Sequence, residues 1–299
     1  MEHEQHVKIF TGGANPWLVE ETCQYMNVPE GKITHTSFAD GELYCRIEES
    51  VRGCDTFIIQ PISPPVNDNL MRLLIVIDAL KRASAACVSA VVPYLGYSRQ
   101  EKKSTGREPI TAKLVANLIT TAGADRLITI DMHTSALQGF FDIPVDHLSA
   151  GLLLGNYLLQ RDLRNTVVVS PDTGGVQRAR EFANRLKLPL AIIDKRRPEA
   201  NQAVVMNVIG DVSNKNIVIF DDIIDTASTL VRVAEVLIEK GAKRITACCS
   251  HAVLSDPACE RIQKSQVDEI ITTNSIPISD AKVKMGRVKV ISVASLIGE

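Results

Sequence analysis

Ten short apolar, β-branched runs punctuate the chain: VKIF, TFIIQ, CVSAVV, LITI, TVVVS, LAIID, NIVIF, RITACCS, DEIITT and VKVISV. Each is too short for an ordinary helix and rich in side chains that suit a pleated, buried surface. Between many of them lie segments with helical spacing, such as 67–83, 110–122 and 227–241. Parallel strands need a long crossover, and a crossover helix must bury its apolar stripe on the sheet. The alternation therefore predicts an α/β fold with mainly parallel sheets covered on both faces. Asn67-Asp68, just after Pro64-Pro65, predicts a capped start for the first of those helices.

At 299 residues the chain exceeds the common single-domain size, so two domains are expected. GADRLITIDMH (123–133) and GAKRITACCSH (241–251) share the same glycine-to-histidine spacing, and each follows an amphipathic helix. Such self-similarity predicts a tandem pair of similar α/β domains. The pattern breaks at FDIPVDHLSA (141–150), which places the division at 1–147 and 148–299.

Composition excludes several partners. A formal net charge of -2, from 33 basic and 35 acidic residues, leaves no basic footprint for nucleic acid. No apolar run reaches the roughly 18–20 residues that cross a bilayer. The start MEHEQHVKIF lacks a signal-peptide pattern, so the expected address is the cytoplasm. Seven cysteines are odd in number and scattered, without a CxxC pair, and read as reduced core thiols.

One segment carries more charge than a core strand needs. In IVIFDDIIDTAST (217–229) an apolar run meets Asp221 and Asp222, then Asp225, Thr226, Ala227, Ser228 and Thr229 open a helix. Ligands of open α/β sheets sit beyond the carboxyl ends of strands. A helix start offers free N–H groups and partial positive charge, which suits a phosphate, and the hydroxyls add donors. Carboxylates just upstream would repel that phosphate; their task is to accept hydrogen bonds from sugar hydroxyls, directly or through a divalent cation. An ordinary helix cap explains one acidic residue but not three. The pattern reads as a sugar-phosphate site. A Walker loop is absent, and Gly12-Gly13 does not complete GxGxxG.

DDIIDTAST resembles the phosphoribosyl-pyrophosphate loop of type I phosphoribosyltransferases and of ribose-phosphate pyrophosphokinases. The second family is matched along nearly the whole chain by FADGELYCRIEESVRGCDTFIIQPISPPVNDNL, GYSRQEKKSTGREPITAKLVANL, QGFFDIPVDHL, SPDTGGVQRAR and AIIDKRRP, in that order. The resemblance implies two tandem phosphoribosyltransferase-like domains, the first lacking the loop. It also implies transfer of the diphosphoryl group of ATP to the 1-hydroxyl of ribose 5-phosphate, giving 5-phosphoribosyl 1-pyrophosphate and AMP for nucleotide biosynthesis. By the same resemblance Lys195 and Arg197 stabilise the transferring group, and Arg197 with Asp221, Asp222 and residues 225–229 binds ribose 5-phosphate. Phe38, Asp40, Gly41, Glu42, Arg99 and Gln100 bind ATP, and His133 and Asp172 carry Mg2+. Assembly through the N-terminal domains into a homohexamer is implied as well, with the Asp-Gly-Glu segment reaching a neighbour's site. Read from the residues alone, that segment is a tight Asp-Gly turn between strands, and 101–109 is a polar loop.

The chain departs from the family pattern at Ser228, where glycine is usual. Glycine permits positive φ and close approach to phosphate, so Ser228→Gly is expected to lower the Michaelis constant for ribose 5-phosphate. Thr105 and Gly106 replace a basic residue and a serine in the 101–109 flap, which is expected to weaken transition-state contacts. Relatives continue beyond SVASLIGE through a helix and tail tied to phosphate activation and ADP inhibition, so regulation is left open. The alternative function is a catalytically silent regulatory homologue.

Overall fold

The computed structural model describes residues 7–196 and 205–299, which form two compact units. The first gathers residues up to Ser149 with Ser275–Pro277 and Ser292–Glu299; the second comprises Ala150–Asn274 and Ile278–Ile291. The terminal segment thus groups with the first unit although it follows the second in sequence.

In the first unit, β1 (Val7–Thr11), α1 (Pro16–Met26), β2 (Ile33–Ser37), β3 (Leu43–Ile47) and β4 (Asp55–Ile59) are followed by α2 (Val66–Arg82) and β5 (Cys87–Val92). Then come α3 (Thr111–Ala122), β6 (Arg126–Ile130), a 3-10 turn at Ser135–Phe140 and β7 (Val145–Leu148). Five strands form one all-parallel sheet in the order β1-β4-β5-β6-β7, and β2 and β3 make a separate antiparallel hairpin.

The second unit runs through α4 (Gly151–Leu159), β8 (Thr166–Ser170), α5 (Val176–Leu186), β9 (Leu190–Arg196), β10 (Val205–Ile209) and β11 (Asn216–Ile224). It continues with α6 (Ser228–Glu239), β12 (Arg244–Ala252), α7 (Ala258–Gln263), β13 (Glu269–Thr273), α8 (Asp280–Met285) and β14 (Val288–Ile291). A last short helix, α9 (Ala294–Gly298), belongs to the first unit. The second sheet has the order β10-β9-β8-β11-β12-β13-β14, parallel except at β10.

Each unit has its own core. In α6 the buried side chains Leu230, Val233, Ala234 and Leu237 recur at helical spacing, and they pack with Val167, Val169, Ile217 and Ile219 of β8 and β11. In α2, Leu73, Val76, Ile77 and Leu80 do the same against Ile58, Val88 and Ala90. The sequence cap at Asn67-Asp68 is displaced: α2 begins at Val66, its N-cap is Pro65 without a side-chain bond, and Asp68 sits in the first turn, where it suits the helix dipole.

The repeat has a different basis from the one the sequence suggested. Aligning β1-β4-β5-β6-β7 with β8-β11-β12-β13-β14 pairs β6 with β13, whereas the two similar segments form β6 and β12. Their likeness is local. Gly123 and Gly241 both take left-handed backbone, with φ of 110° and 89°, as a helix ends and a strand is about to begin. The aligned orders instead set DDIIDTAST, which ends β11 and opens α6, against QPISPPVND, after β4, so the first unit has no acidic pair at that place.

All seven cysteines are free thiols, and burial pushes Cys249 up to about 12, as suits inert core residues. Among the described residues no helix is long and apolar enough to cross a membrane.

Candidate active site

The second sheet has one topological switch point, between β8 and β11: the chain leaves β8 toward β9 on one side and β11 toward β12 on the other. Such a point leaves a crevice beyond the strand ends. Pairing of β11 to β8 stops at Ile219↔Val169, while pairing to β12 continues to Ile224↔Ala252. Asp221 and Asp222 therefore do not follow the strand, as the sequence suggested; they lie in its last residues, where one edge is already unpaired.

Three elements converge there. Asp172 follows β8, and its Oδ1 accepts from the Gly175 N–H at 3.0 Å, while Ser170 Oγ donates to the Asp172 carbonyl at 2.8 Å. Gly175 then starts α5 in tight quarters: a Cβ there would lie 3.3 Å from Ser170 Oγ and 3.9 Å from Asp221 Oδ1. From α5, Arg178 reaches back to both aspartates, with Nη1 3.3 Å from Asp221 Oδ1 and 2.6 Å from Asp222 Oδ1. Asp222 is buried, and Asp221 Oδ1 also accepts from the Asp222 N–H at 2.9 Å.

Sequence reasoning assigned no role to Arg178. The signal was available: two carboxylates at a buried strand end need a counter-cation, and the helix after the neighbouring strand is where one can stand. Even so, the guanidinium leaves the cluster negative. Burial, then the charge of Asp222, pushes the Asp221 carboxyl above the usual carboxylate range, with Asp172 adding to the effect and Arg178 opposing it. The place favours hydroxyl donors or a further cation.

The loop that follows gathers hydroxyls at a helix start. Thr226, Ser228 and Thr229 are exposed around a buried Ala227 at the start of α6. Thr226 and Ser228 bring their hydroxyl oxygens to 3.2 Å. The left-handed backbone falls on Ala227, with φ of 58°, and not on Ser228, which already has helical backbone. The glycine-like requirement argued for Ser228 thus belongs one residue earlier, which removes the conformational reason for expecting Ser228→Gly to improve binding.

The remaining candidates are dispersed. Lys195 is half-buried on β9, opposite Met206 of β10; Arg197 lies outside the described residues. In the first unit Phe38 to Glu42 form the turn of the β2–β3 hairpin, closed by Phe38 N–H to Glu42 O at 2.8 Å and Glu42 N–H to Asp40 Oδ1 at 3.1 Å. Gly41 takes the positive φ of 95° that this turn requires. Phe38 is 58% exposed and packs edge-on against Tyr44, leaving a ring face available for stacking. Arg99 and Gln100 lie between β5 and α3, where Gln100 Oε1 accepts from Thr111 Oγ1 at 2.6 Å. Beyond them Thr105 has a definite job: its hydroxyl donates to Glu108 at 2.7 Å, and Ser104 and Thr105 N–H groups bind the same carboxylate. These bonds hold Glu108 below the usual carboxylate range. His133 is half-buried just after β6.

Comparison with known proteins identifies the architecture. Residues 7–123 match the N-terminal domain of ribose phosphate pyrophosphokinase, and residues 146–284 match the phosphoribosyl transferase domain. The chain belongs to the ribose-phosphate pyrophosphokinase family. It is 52% identical over 296 residues to the ribose-phosphate pyrophosphokinase of Bacillus subtilis, covering 99% of this chain and 93% of that one. Ribose-phosphate pyrophosphokinase 1 of Listeria monocytogenes is 55% identical over 294 residues, 98% of this chain and 92% of its own. The crystal structure of phosphoribosylpyrophosphate synthetase from Mycobacterium smegmatis superposes with a TM-score of 0.92 at 43% identity, covering 98% of this chain and 96% of that one. Membership makes the chain an enzyme, a diphosphokinase of nucleotide biosynthesis, built from two phosphoribosyltransferase-like domains in tandem.

Proposed function

We propose that Asp221, Asp222 and residues 225–229 bind ribose 5-phosphate so that its 1-hydroxyl receives the diphosphoryl group of ATP. The observation that carries this assignment is the juxtaposition, at one switch point, of a buried acid pair with a hydroxyl-lined helix start. The acids accept from ribose hydroxyls; the loop N–H groups and hydroxyls of Thr226, Ser228 and Thr229 donate to the 5-phosphate.

In the reaction the ribose 1-hydroxyl oxygen forms a bond to the β-phosphorus of ATP and gives up its proton to solvent, the bond from that phosphorus to the α,β-bridging oxygen breaks, and AMP departs. Little covalent chemistry falls to the protein in such transfers, which depend on positioning and charge neutralisation. Lys195 and Arg197 are assigned to the equatorial oxygens of the moving group. ATP is assigned to Phe38 through ring stacking, to Asp40, Gly41 and Glu42 of the hairpin turn, and to Arg99 and Gln100.

The surplus negative charge around Asp172, Asp221 and Asp222 fits a divalent cation. Mg2+ is the assigned ion, since it binds through one or two carboxylates, waters and substrate phosphates. Asp172 and His133 are the assigned residues; the imidazole is an unusual magnesium partner, so its contact is taken as outer-sphere. When bound, the ion neutralises charge on the diphosphoryl oxygens. A homohexamer in the cytoplasm is the proposed working form.

Incubation with ATP, Mg2+ and ribose 5-phosphate is expected to yield AMP and 5-phosphoribosyl 1-pyrophosphate in equal amounts. AMP formation no faster than in Lys195→Ala would defeat the catalytic assignment and favour a silent regulatory homologue.

A further inference from the structure

We infer that Arg261 is a positioning residue for the phosphate loop: it holds the peptide between Thr226 and Ala227 in the one orientation that turns the Ala227 N–H toward the anion. Its Nη1 donates to the Thr226 carbonyl oxygen at 2.9 Å. In a trans peptide the C=O and the next N–H point in opposite directions. A carbonyl drawn outward by Arg261 therefore sends the Ala227 N–H to the other side of the peptide, and an inverted peptide would present the anion with a carbonyl oxygen.

Something must hold that orientation, because the backbone does not favour it. Ala227 has φ of 58° and ψ of 5°, the left-handed region that costs a residue with a Cβ. Inverting the peptide swings φ of Ala227 by about half a turn into ordinary negative values, so alanine on its own prefers the wrong orientation. The N-cap position offers no help, since Ala227 makes no side-chain cap bond. Arg261 is placed to oppose the flip. It stands on α7, whose Ala258, Cys259 and Ile262 are buried in the same core cluster as Ala227 and Leu230, so the guanidinium is referenced to the base of the loop.

The inference rests on the reading that residues 225–229 hold the 5-phosphate, and the test separates the two. Michaelis constants for ribose 5-phosphate and for ATP, kcat and melting temperature are measured for Arg261→Met, for Thr229→Val, for Ala227→Gly and for the double variant Arg261→Met with Ala227→Gly. Arg261→Met is expected to raise the constant for ribose 5-phosphate about tenfold, the scale of a lost charge-assisted hydrogen bond, with the constant for ATP within about twofold of wild type. Glycine is indifferent between the two peptide orientations, so in the Ala227→Gly background the same substitution is expected to cost about threefold or less. A defect in Thr229→Val without one in Arg261→Met overturns the role of Arg261 and leaves the loop assignment standing. No defect in either overturns the loop assignment and the inference with it. A defect in Arg261→Met that lowers the melting temperature, extends to ATP and persists undiminished in the glycine background marks a structural role and also overturns it.

Discussion

Ala227 and Ser228 are neighbours with opposite conformational demands, and substituting glycine at each separates them. At Ala227 glycine removes a left-handed strain of about 1 kcal/mol but loosens the unfolded chain by a similar amount, so Ala227→Gly is expected to leave the melting temperature nearly unchanged. At Ser228 the backbone is already helical and the hydroxyl approaches Thr226, so glycine is expected to cost about 1 kcal/mol. Thermal denaturation of both variants reads the difference. Arg178 makes a stronger claim. Its side chain is 24% exposed and faces two aspartates, one of them buried. Removing one partner of such a group strands the other's charge, so Arg178→Leu is expected to lose about 3 kcal/mol at pH 7. Protonation of the stranded carboxylates restores part of that loss as pH falls, and denaturant titrations at pH 5 and 7 check the sign.

Among the elements, β13 and α4 are tied by one ion pair near the strand starts. Arg161, just past α4, meets Glu269 of β13 with 2.5 and 2.9 Å contacts while lying over the Tyr157 ring, whose hydroxyl accepts from it at 2.7 Å. The Arg161 hydrogen bond holds the Glu269 carboxyl below its ordinary range. For a depressed carboxyl the stabilisation is complete above the unfolded value of about 4.3 and disappears as pH falls through the folded value. Glu269→Gln is therefore expected to be less stable than wild type by about 1–2 kcal/mol at pH 7, with the gap closing below about pH 4, as measured by urea unfolding across that range. The hairpin β2–β3 was legible from its Asp-Gly turn and not from its strands. ITHTS and LYCRI are half-exposed and carry polar side chains, so they lack the apolar runs that marked the sheet strands. The polar VDHL of β7 likewise lacks an apolar run; among the described residues it is an edge strand paired with β6.

For the molecule as a whole, the terminal helix is part of the first unit's structure. Ser292 Oγ donates to Glu21 at 2.6 Å, Tyr25 donates to Glu299 at 3.3 Å, and a Cβ on Gly298 would sit 2.6 Å from the Tyr25 ring. Gly298→Leu is accordingly expected to dislodge α9 from α1 and lower the melting temperature by roughly 2–4 °C per kcal/mol lost. Limited proteolysis should then cut within the final residues sooner than in wild type. A variant as resistant as wild type would show that α9 tolerates the side chain.

Much of this architecture is written locally, which is why the chain alone determined it. Strand and helix periods, the β-branched TVVVS and NIVIF, and the charge that follows the second depend on short-range chemistry, and they sufficed to predict α/β units in tandem with an acid-rich stretch at a strand end. Tertiary structure decided what depends on residues far apart in the chain. Strand order, and not segment similarity, determined which parts of the two units correspond. The end of β8 pairing opened the edge on which Asp221 stands, α5 delivered Arg178, and α7 brought Arg261 to a carbonyl 35 residues away. A periodic pattern records which face of an element is buried; it carries no record of which neighbour will bury it, because that is decided by packing across the fold.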